Sequence, residues 1–139
     1  MFSNGELSGI LLTIARPEIT AYKSTSSKTG TNIRIRIMFR ANSIEFLLAL
    51  QRKFETMDIN SKLRTVEGVN RNRPVLIIGK RKDLEAVREL MNKELPCSNS
   101  DWTKFDDVLK EISEKNHLEE EGMKKILGMI KDEKYNHKK

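Results

Sequence analysis

The sequence predicts an α+β fold: a four-stranded antiparallel sheet with helices on one face, followed by further C-terminal helices. Three observations predict it. Asn32 to Arg40 alternates strictly between two kinds of side chain, as a half-buried strand does. Other segments repeat apolar residues at helical spacing. Consecutive strand candidates are joined by short turns, which favours antiparallel pairing over crossovers. No linker, low-complexity block or convincing internal repeat divides the chain, so residues 1–139 read as a single domain.

The first element is a helix. Ser3 and Glu6 have capping-box spacing, the run Glu6 to Ile14 follows, and Pro17 is expected to stop it. Its apolar residues surround the axis, which predicts burial on most sides. Gly5, Gly9 and Thr13 recur every fourth residue, with Ser8 and Leu12 beside them, so one face is narrow enough for another backbone to approach. That face suits a core helix against a sheet, or helix against helix across a dimer axis.

Ile19 to Lys23 is a short strand candidate, and Ser24 to Thr31 has turn composition. In Asn32 to Arg40, Ile33, Ile35, Ile37 and Phe39 form one face; Arg34, Arg36, Met38 and Arg40 form the other. Asn42 or Ser43 caps a helix that runs to about Met57, with Ile44, Leu47, Leu50, Phe54 and Met57 at helical spacing. Lys62 to Glu67 reads as a strand, Gly68 to Arg73 as a basic turn, and Pro74 to Ile78 as an apolar strand central in its sheet. Arg81 to Leu95 is a helix with Leu84, Val87, Met91 and Leu95 inward, broken by Pro96 to Ser100. Asp101 to Lys115 and Leu118 to Glu133 are amphipathic helices, and the tail is expected to fray.

Composition narrows the function. The chain carries 26 Lys and Arg against 20 Asp and Glu, a formal net charge of +6, which favours a polyanionic partner. A single cysteine, Cys97, excludes an intramolecular disulfide, and His117 and His137 are too few and too distant for a zinc site. A reducing intracellular setting, the cytoplasm, is expected. Leu7 to Ala15 is apolar but too short for a membrane span, and no basic region precedes it as in a signal peptide. No cofactor motif is present, because Gly30 and Gly79 stand alone and form no phosphate loop.

The basic strand face is the main constellation. With helices on one side of the sheet, Arg34, Arg36 and Arg40, together with Lys62 and Arg64, point from the other. Tyr22, Lys23, Lys28, Arg71 and Arg73 extend that face. Such a surface fits the DNA major groove, where arginine grips guanine bidentately and lysine neutralises phosphate. A solvated sheet face is the plain alternative, but like charges on neighbouring strands destabilise a sheet unless something neutralises them. No Ser-His-Asp or Cys-His arrangement can be argued. Asp106, Asp107 and Glu119 to Glu121 read as solvated helix faces.

In element order the chain resembles the single-motif LAGLIDADG homing endonucleases, whose core is αββαββα. Leu7-Ser8-Gly9-Ile10-Leu11-Leu12-Thr13-Ile14-Ala15 aligns with the name motif and keeps Leu7, Gly9 and the hydrophobic positions. RIRIMFRANSIEFLLALQRKF resembles that family's second strand and following helix, and RPVLIIGKRKDLEAVRELM its fourth strand and third helix. WTKFDDVLKEISEKNHLEEEGMKKILGMIK resembles its C-terminal part, including the His-Leu-x-x-x-Gly turn. The resemblance covers nearly the whole chain.

It implies motif helices paired at a two-fold axis, through Gly5, Ser8, Gly9, Leu12 and Thr13 here. It also implies sheets that saddle the major groove, and an acidic residue at each motif helix's C-terminal end holding a divalent metal at the scissile phosphate. The departures fall at that chemistry. Ile14 stands at the acidic position, with Leu12 and Ala15 replacing the usual Asp and Gly, and an aliphatic side chain cannot ligate Mg²⁺. Leu95 to Ser100 also lacks the basic residue the family tends to place there. The expectation is a catalytically inactive member that binds double-stranded DNA as a homodimer, acting as a domesticated transcription regulator, with no metal, cofactor or membrane. Three alternatives stay open: an active endonuclease with a displaced carboxylate, Glu18 or Glu6; an RNA-binding splicing accessory factor, as some relatives of the family are; and a module whose basic face meets an acidic protein.

Overall fold

The computed structural model describes residues 2–25, 29–69, 72–94 and 100–131. In chain order the elements are α1 (Asn4–Thr13), β1 (Ala15–Lys23), β2 (Thr31–Arg40), α2 (Ile44–Glu55), β3 (Lys62–Arg64), β4 (Val75–Ile78), α3 (Arg81–Glu94), α4 (Ser100–Ser113), a 3-10 turn at Asn116–Leu118, and α5 (Glu120–Lys131). The strands form one four-stranded antiparallel sheet in the order β1-β2-β4-β3, so the predicted class and element order hold and β4 is interior as expected. Lys28, Arg71, Leu95, Cys97 and the tail with His137 lie outside the described residues. Two compact units divide the chain: residues 1–16 with 36–97, and residues 17–35 with 98–139.

In the first unit, Ser3 caps α1 reciprocally with Glu6, and Leu7, Ile10 and Leu11 are buried. Alternation along the strands sends Ile37, Phe39, Leu76 and Ile78 into a core with Leu47, Leu50 and Phe54 of α2 and Leu84, Val87 and Met91 of α3. The Phe39 and Phe54 rings meet at 5.4 Å. Each fully buried side chain of this size contributes about 1.5–3 kcal/mol over an exposed one. Ser43 caps α2 by accepting from the Phe46 amide at 3.1 Å. The buried carboxylate of Asp83 accepts from the Asn60 amide at 3.0 Å, which ties the segment before β3 to α3.

In the second unit, the Ser24 amide donates to the Gly30 carbonyl at 3.0 Å and closes the β1–β2 connection. Gly30 has φ +79°, a conformation that excludes most other residues. Trp102, Phe105, Val108, Leu109 and Ile112 of α4 are buried, as are Met123 and Ile126 of α5. The buried Lys104 donates to the Ile130 carbonyl at 2.9 Å, placing a cation at the end of α5.

Four expectations change. First, α1 ends at Thr13 and β1 begins at Ala15, so Pro17 lies inside a strand. The residue before a proline is biased to extended backbone, and Pro17 lies in a strand at the end of the sheet order, where a missing donor is tolerated. Second, α1 is buried on one side only: Gly5, Gly9, Leu12 and Thr13 are exposed. Third, β3 stops at Arg64, because Glu67 turns to pair with Arg40. Fourth, Met38, expected in solvent, is only 3% exposed. It sits opposite Ile77 on β4, and Arg36 and Arg40 on either side have aliphatic stems long enough to lie over it.

Candidate nucleic-acid interface

In the first unit the register of β2, β4 and β3 builds the basic face from cross-strand rows. One row is Met38, Ile77 and Lys62; the next is Arg40, Val75 and Arg64. The middle of this face is apolar, with Val75 fully buried, while Lys62 and Arg64 on β3 are exposed. Arg36 leads into the same face from two residues before Met38, and its Cγ passes beside Gly79. Among the described residues no carboxylate pairs with Lys62 or Arg64.

Arg40 is not a bare cation. Its Nε donates to Glu67 Oε1 at 2.8 Å and its Nη2 to Oε2 at 2.9 Å. The expectation of a strand face with charges of one sign is therefore corrected: Glu67, just past β3, neutralises one arginine. The Glu67 amide also donates to the Arg73 carbonyl at 2.9 Å, which holds the ends of the β3–β4 connection together. Arg73 and the tip residue Val69 are exposed there.

Lys80 is not among the expected site residues. It lines a cavity of about 360 Å³ with Asn60, Ser61, Lys62, Ile77, Gly79 and Asp83. Lys80, Arg81 and Lys82 are consecutive exposed cations at the start of α3, the end where a helix disfavours positive charge. Only Asp83 offsets them in the first turn. That run against the dipole is the signal in the sequence.

In the second unit, Tyr22 is 47% exposed and Lys23 is exposed beside it at the end of β1. Arg34 is exposed on β2 and, two residues before Arg36, shares its face along the strand.

The small-residue face of α1 is open. A Cβ at Gly9 would meet nothing within 4 Å. Ser8 Oγ donates to the Asn4 carbonyl at 3.0 Å and Thr13 Oγ1 to the Gly9 carbonyl at 2.6 Å. Both hydroxyls are thus satisfied by their own helix, which leaves the face effectively apolar around Leu12, 37% exposed.

The end of α1 does not fit the metal that the resemblance implies. A hard divalent cation needs oxygen donors. Ile14 caps the helix, and Arg16 Nη1 donates to the carbonyls of Thr13 at 2.9 Å and Ala15 at 3.0 Å, so a cation already holds these oxygens. Glu6 lies at the other end of α1, eight positions away or about 12 Å. Its carboxylate accepts from the Ser3 amide at 2.8 Å, and this backbone hydrogen bond first, then the Ser3 hydroxyl, lowers its pKa. Glu18 is half-buried and already engaged. Among the described residues, no group of three or more His, Cys, Asp or Glu is placed to hold a metal ion. Nor is any helix among them long and apolar enough to cross a membrane.

Comparison with protein-family models and with curated proteins finds no match. Solved structures do match. The homing endonuclease I-TnaI superposes with a TM-score of 0.82 at 21% identity, over 99% of this chain and 90% of that one. The archaeal intron-encoded homing endonuclease I-Vdi141I, complexed with DNA, gives 0.82 at 14% identity over 98% and 84%. The LAGLIDADG meganuclease I-CpaMI, bound to uncleaved DNA, gives 0.78 at 20% identity over 93% of this chain and 44% of that one. The chain thus has the fold of the LAGLIDADG homing endonucleases.

Proposed function

We propose that this chain binds double-stranded DNA as a homodimer, through the basic face of its sheet, and does not cleave it. One observation carries the reading: alternation along β2 presents Arg34 and Arg36, and the cross-strand rows end on the exposed Lys62 and Arg64. A two-stranded or sheet surface of this kind enters the major groove, where cations neutralise phosphate and arginine reads guanine. The similar structures I-Vdi141I and I-CpaMI hold DNA, which supports the same partner here. Arg73 and Lys80 are proposed to extend this face in the first unit, and Tyr22, Lys23, Lys28 and Arg71 are proposed as further residues that contact DNA.

Two copies are proposed because the α1 face of Gly5, Ser8, Gly9, Leu12 and Thr13 is open and apolar. The chain also spans only 44% of I-CpaMI, so a doubled unit matches that protein's length. Absence of cleavage rests on the end of α1, where Ile14 and the Arg16 guanidinium stand instead of carboxylates. A protein that binds without cutting acts by occupancy, which fits a regulator of transcription. Duplexes selected from a random pool, then incubated with the protein and Mg²⁺, test the reading. Salt-sensitive, sequence-selective binding with intact duplex is expected; specific cleavage would overturn the inactive half, and equal affinity for structured RNA would overturn the DNA preference.

A further inference from the structure

Arg16 follows α1 closely and its guanidinium turns back onto the helix end. A helix C-terminus presents unsatisfied carbonyls and partial negative charge. The last turn of α1 contains no basic residue, so Arg16 supplies the cation from outside it. Its bonds to the Thr13 and Ala15 carbonyls, at 2.9 and 3.0 Å, both come from Nη1. A guanidinium has three further hydrogens, one on Nε and two on Nη2, along an adjacent edge. Among the described residues, no other group bonds to Arg16, and the side chain is exposed. That edge is the one that grips a phosphate bidentately.

We propose that Arg16 holds one phosphate of the DNA backbone through its Nε–Nη2 edge, so that binding at the end of α1 is metal-free. The inference rests on the reading of the chain as a duplex binder and adds a residue and a contact to it. The guanidinium is anchored on one side by two carbonyls, so little freedom remains to be lost when the other side meets an oxyanion. A divalent ion at the same place would compete with Arg16 for both carbonyls and be repelled by its charge.

The test uses a duplex selected with the full chain, titrated by fluorescence anisotropy across a potassium chloride series. The proteins are wild type, Arg16→Ala, Arg16→Gln and Arg16→Lys, each in EDTA and in Mg²⁺ at matched ionic strength. Thermal unfolding identifies any variant that fails to fold. Arg16→Ala and Arg16→Gln are expected to bind about fivefold more weakly near 0.15 M salt, with the slope of log affinity against log salt reduced by about one. Arg16→Lys is expected to keep the slope but recover only part of the affinity, because an ammonium lacks the fork. Wild-type affinity is expected to be equal in EDTA and Mg²⁺. Unchanged affinity and slope in the folded variants overturn the role of Arg16 alone, as does a wild type that needs Mg²⁺. A wild type that binds no duplex overturns both this inference and the function it rests on.

Discussion

Arg40 and Glu67, 27 residues apart, hold each other by paired hydrogen bonds of 2.8 and 2.9 Å on the basic side of the sheet. The side chains are only 20% and 13% exposed, so solvent screens the pair incompletely. Glu67 thereby removes one charge from the proposed interface while fixing the direction of Arg40. Glu67→Gln keeps the shape and deletes the charge. We expect it to cost about 1–2 kcal/mol of stability, measured by urea unfolding, because the amide nitrogen cannot accept from Arg40 and the remaining bond loses its anionic acceptor. The same variant should steepen the salt dependence of duplex binding by about one unit, since the negative charge that faces Arg40 is removed. An unchanged slope would place Arg40 away from the DNA.

The exposed cations Arg34, Lys62 and Arg64 should each contribute a separable electrostatic increment. Single alanine variants are expected to lower the log–log salt slope by about 0.9 for each phosphate no longer neutralised. Stability should change by less than about 0.5 kcal/mol, because these groups are exposed and pair with nothing among the described residues. Lys124→Ala on the exposed side of α5 is the control and should leave the slope intact. Arginine variants that relax the selected sequence at one position, beyond lowering overall affinity, would mark direct base contacts.

The legible parts of this molecule are those where one face is buried. Ile37 and Phe39 alternate with Arg36 and Arg40 because their side of the strand faces a core, and period 2 records that directly, whereas the buried Met38 on the other side escapes it. Leu47, Leu50 and Phe54 record the core side of α2 in the same way. Pro17 misleads because a proline after a helical run looks the same whether it stops the helix or rides an outer strand. The Arg40–Glu67 pair is invisible in the sequence because it spans 27 residues and follows no local period. Arg16 is hidden for a different reason: its role depends on α1 ending at Thr13, a boundary that no proline or glycine marks.

The reciprocal cap of α1 makes a prediction about pH. The Ser3 hydroxyl accepts from the Glu6 amide at 3.1 Å, and Glu6 accepts from the Ser3 amide at 2.8 Å. Ser3→Ala is expected to cost about 1 kcal/mol, as loss of an N-cap usually does. Glu6 has its pKa lowered from 4.5 on folding, so the unfolded chain binds its proton more readily. Its contribution is therefore complete above the unfolded pKa and is lost as pH falls through the folded one. Stability measured from pH 6 downward should fall less steeply in Glu6→Gln than in wild type over the acid range; superimposable curves would show that the cap does not form in solution.

Leu12 tests the proposed two-fold axis without touching the DNA surface. It is 37% exposed on the same open side of α1 as Gly9, beside hydroxyls that bond their own helix. Leu12→Glu places two like charges across any symmetric α1–α1 contact, where desolvation makes repulsion expensive. In a single copy the change faces solvent, so folding should survive it. Light scattering is expected to give twice 16.1 kDa for wild type and one chain for the variant. Affinity for a palindromic duplex should collapse, while binding to one half-site should stay near the wild-type value, because each copy keeps its own basic face. A wild type that scatters as one chain, or a variant that remains dimeric, would move the axis elsewhere. If both proteins are monomeric and bind the full site equally, each copy reads DNA alone and the open face of α1 serves another contact.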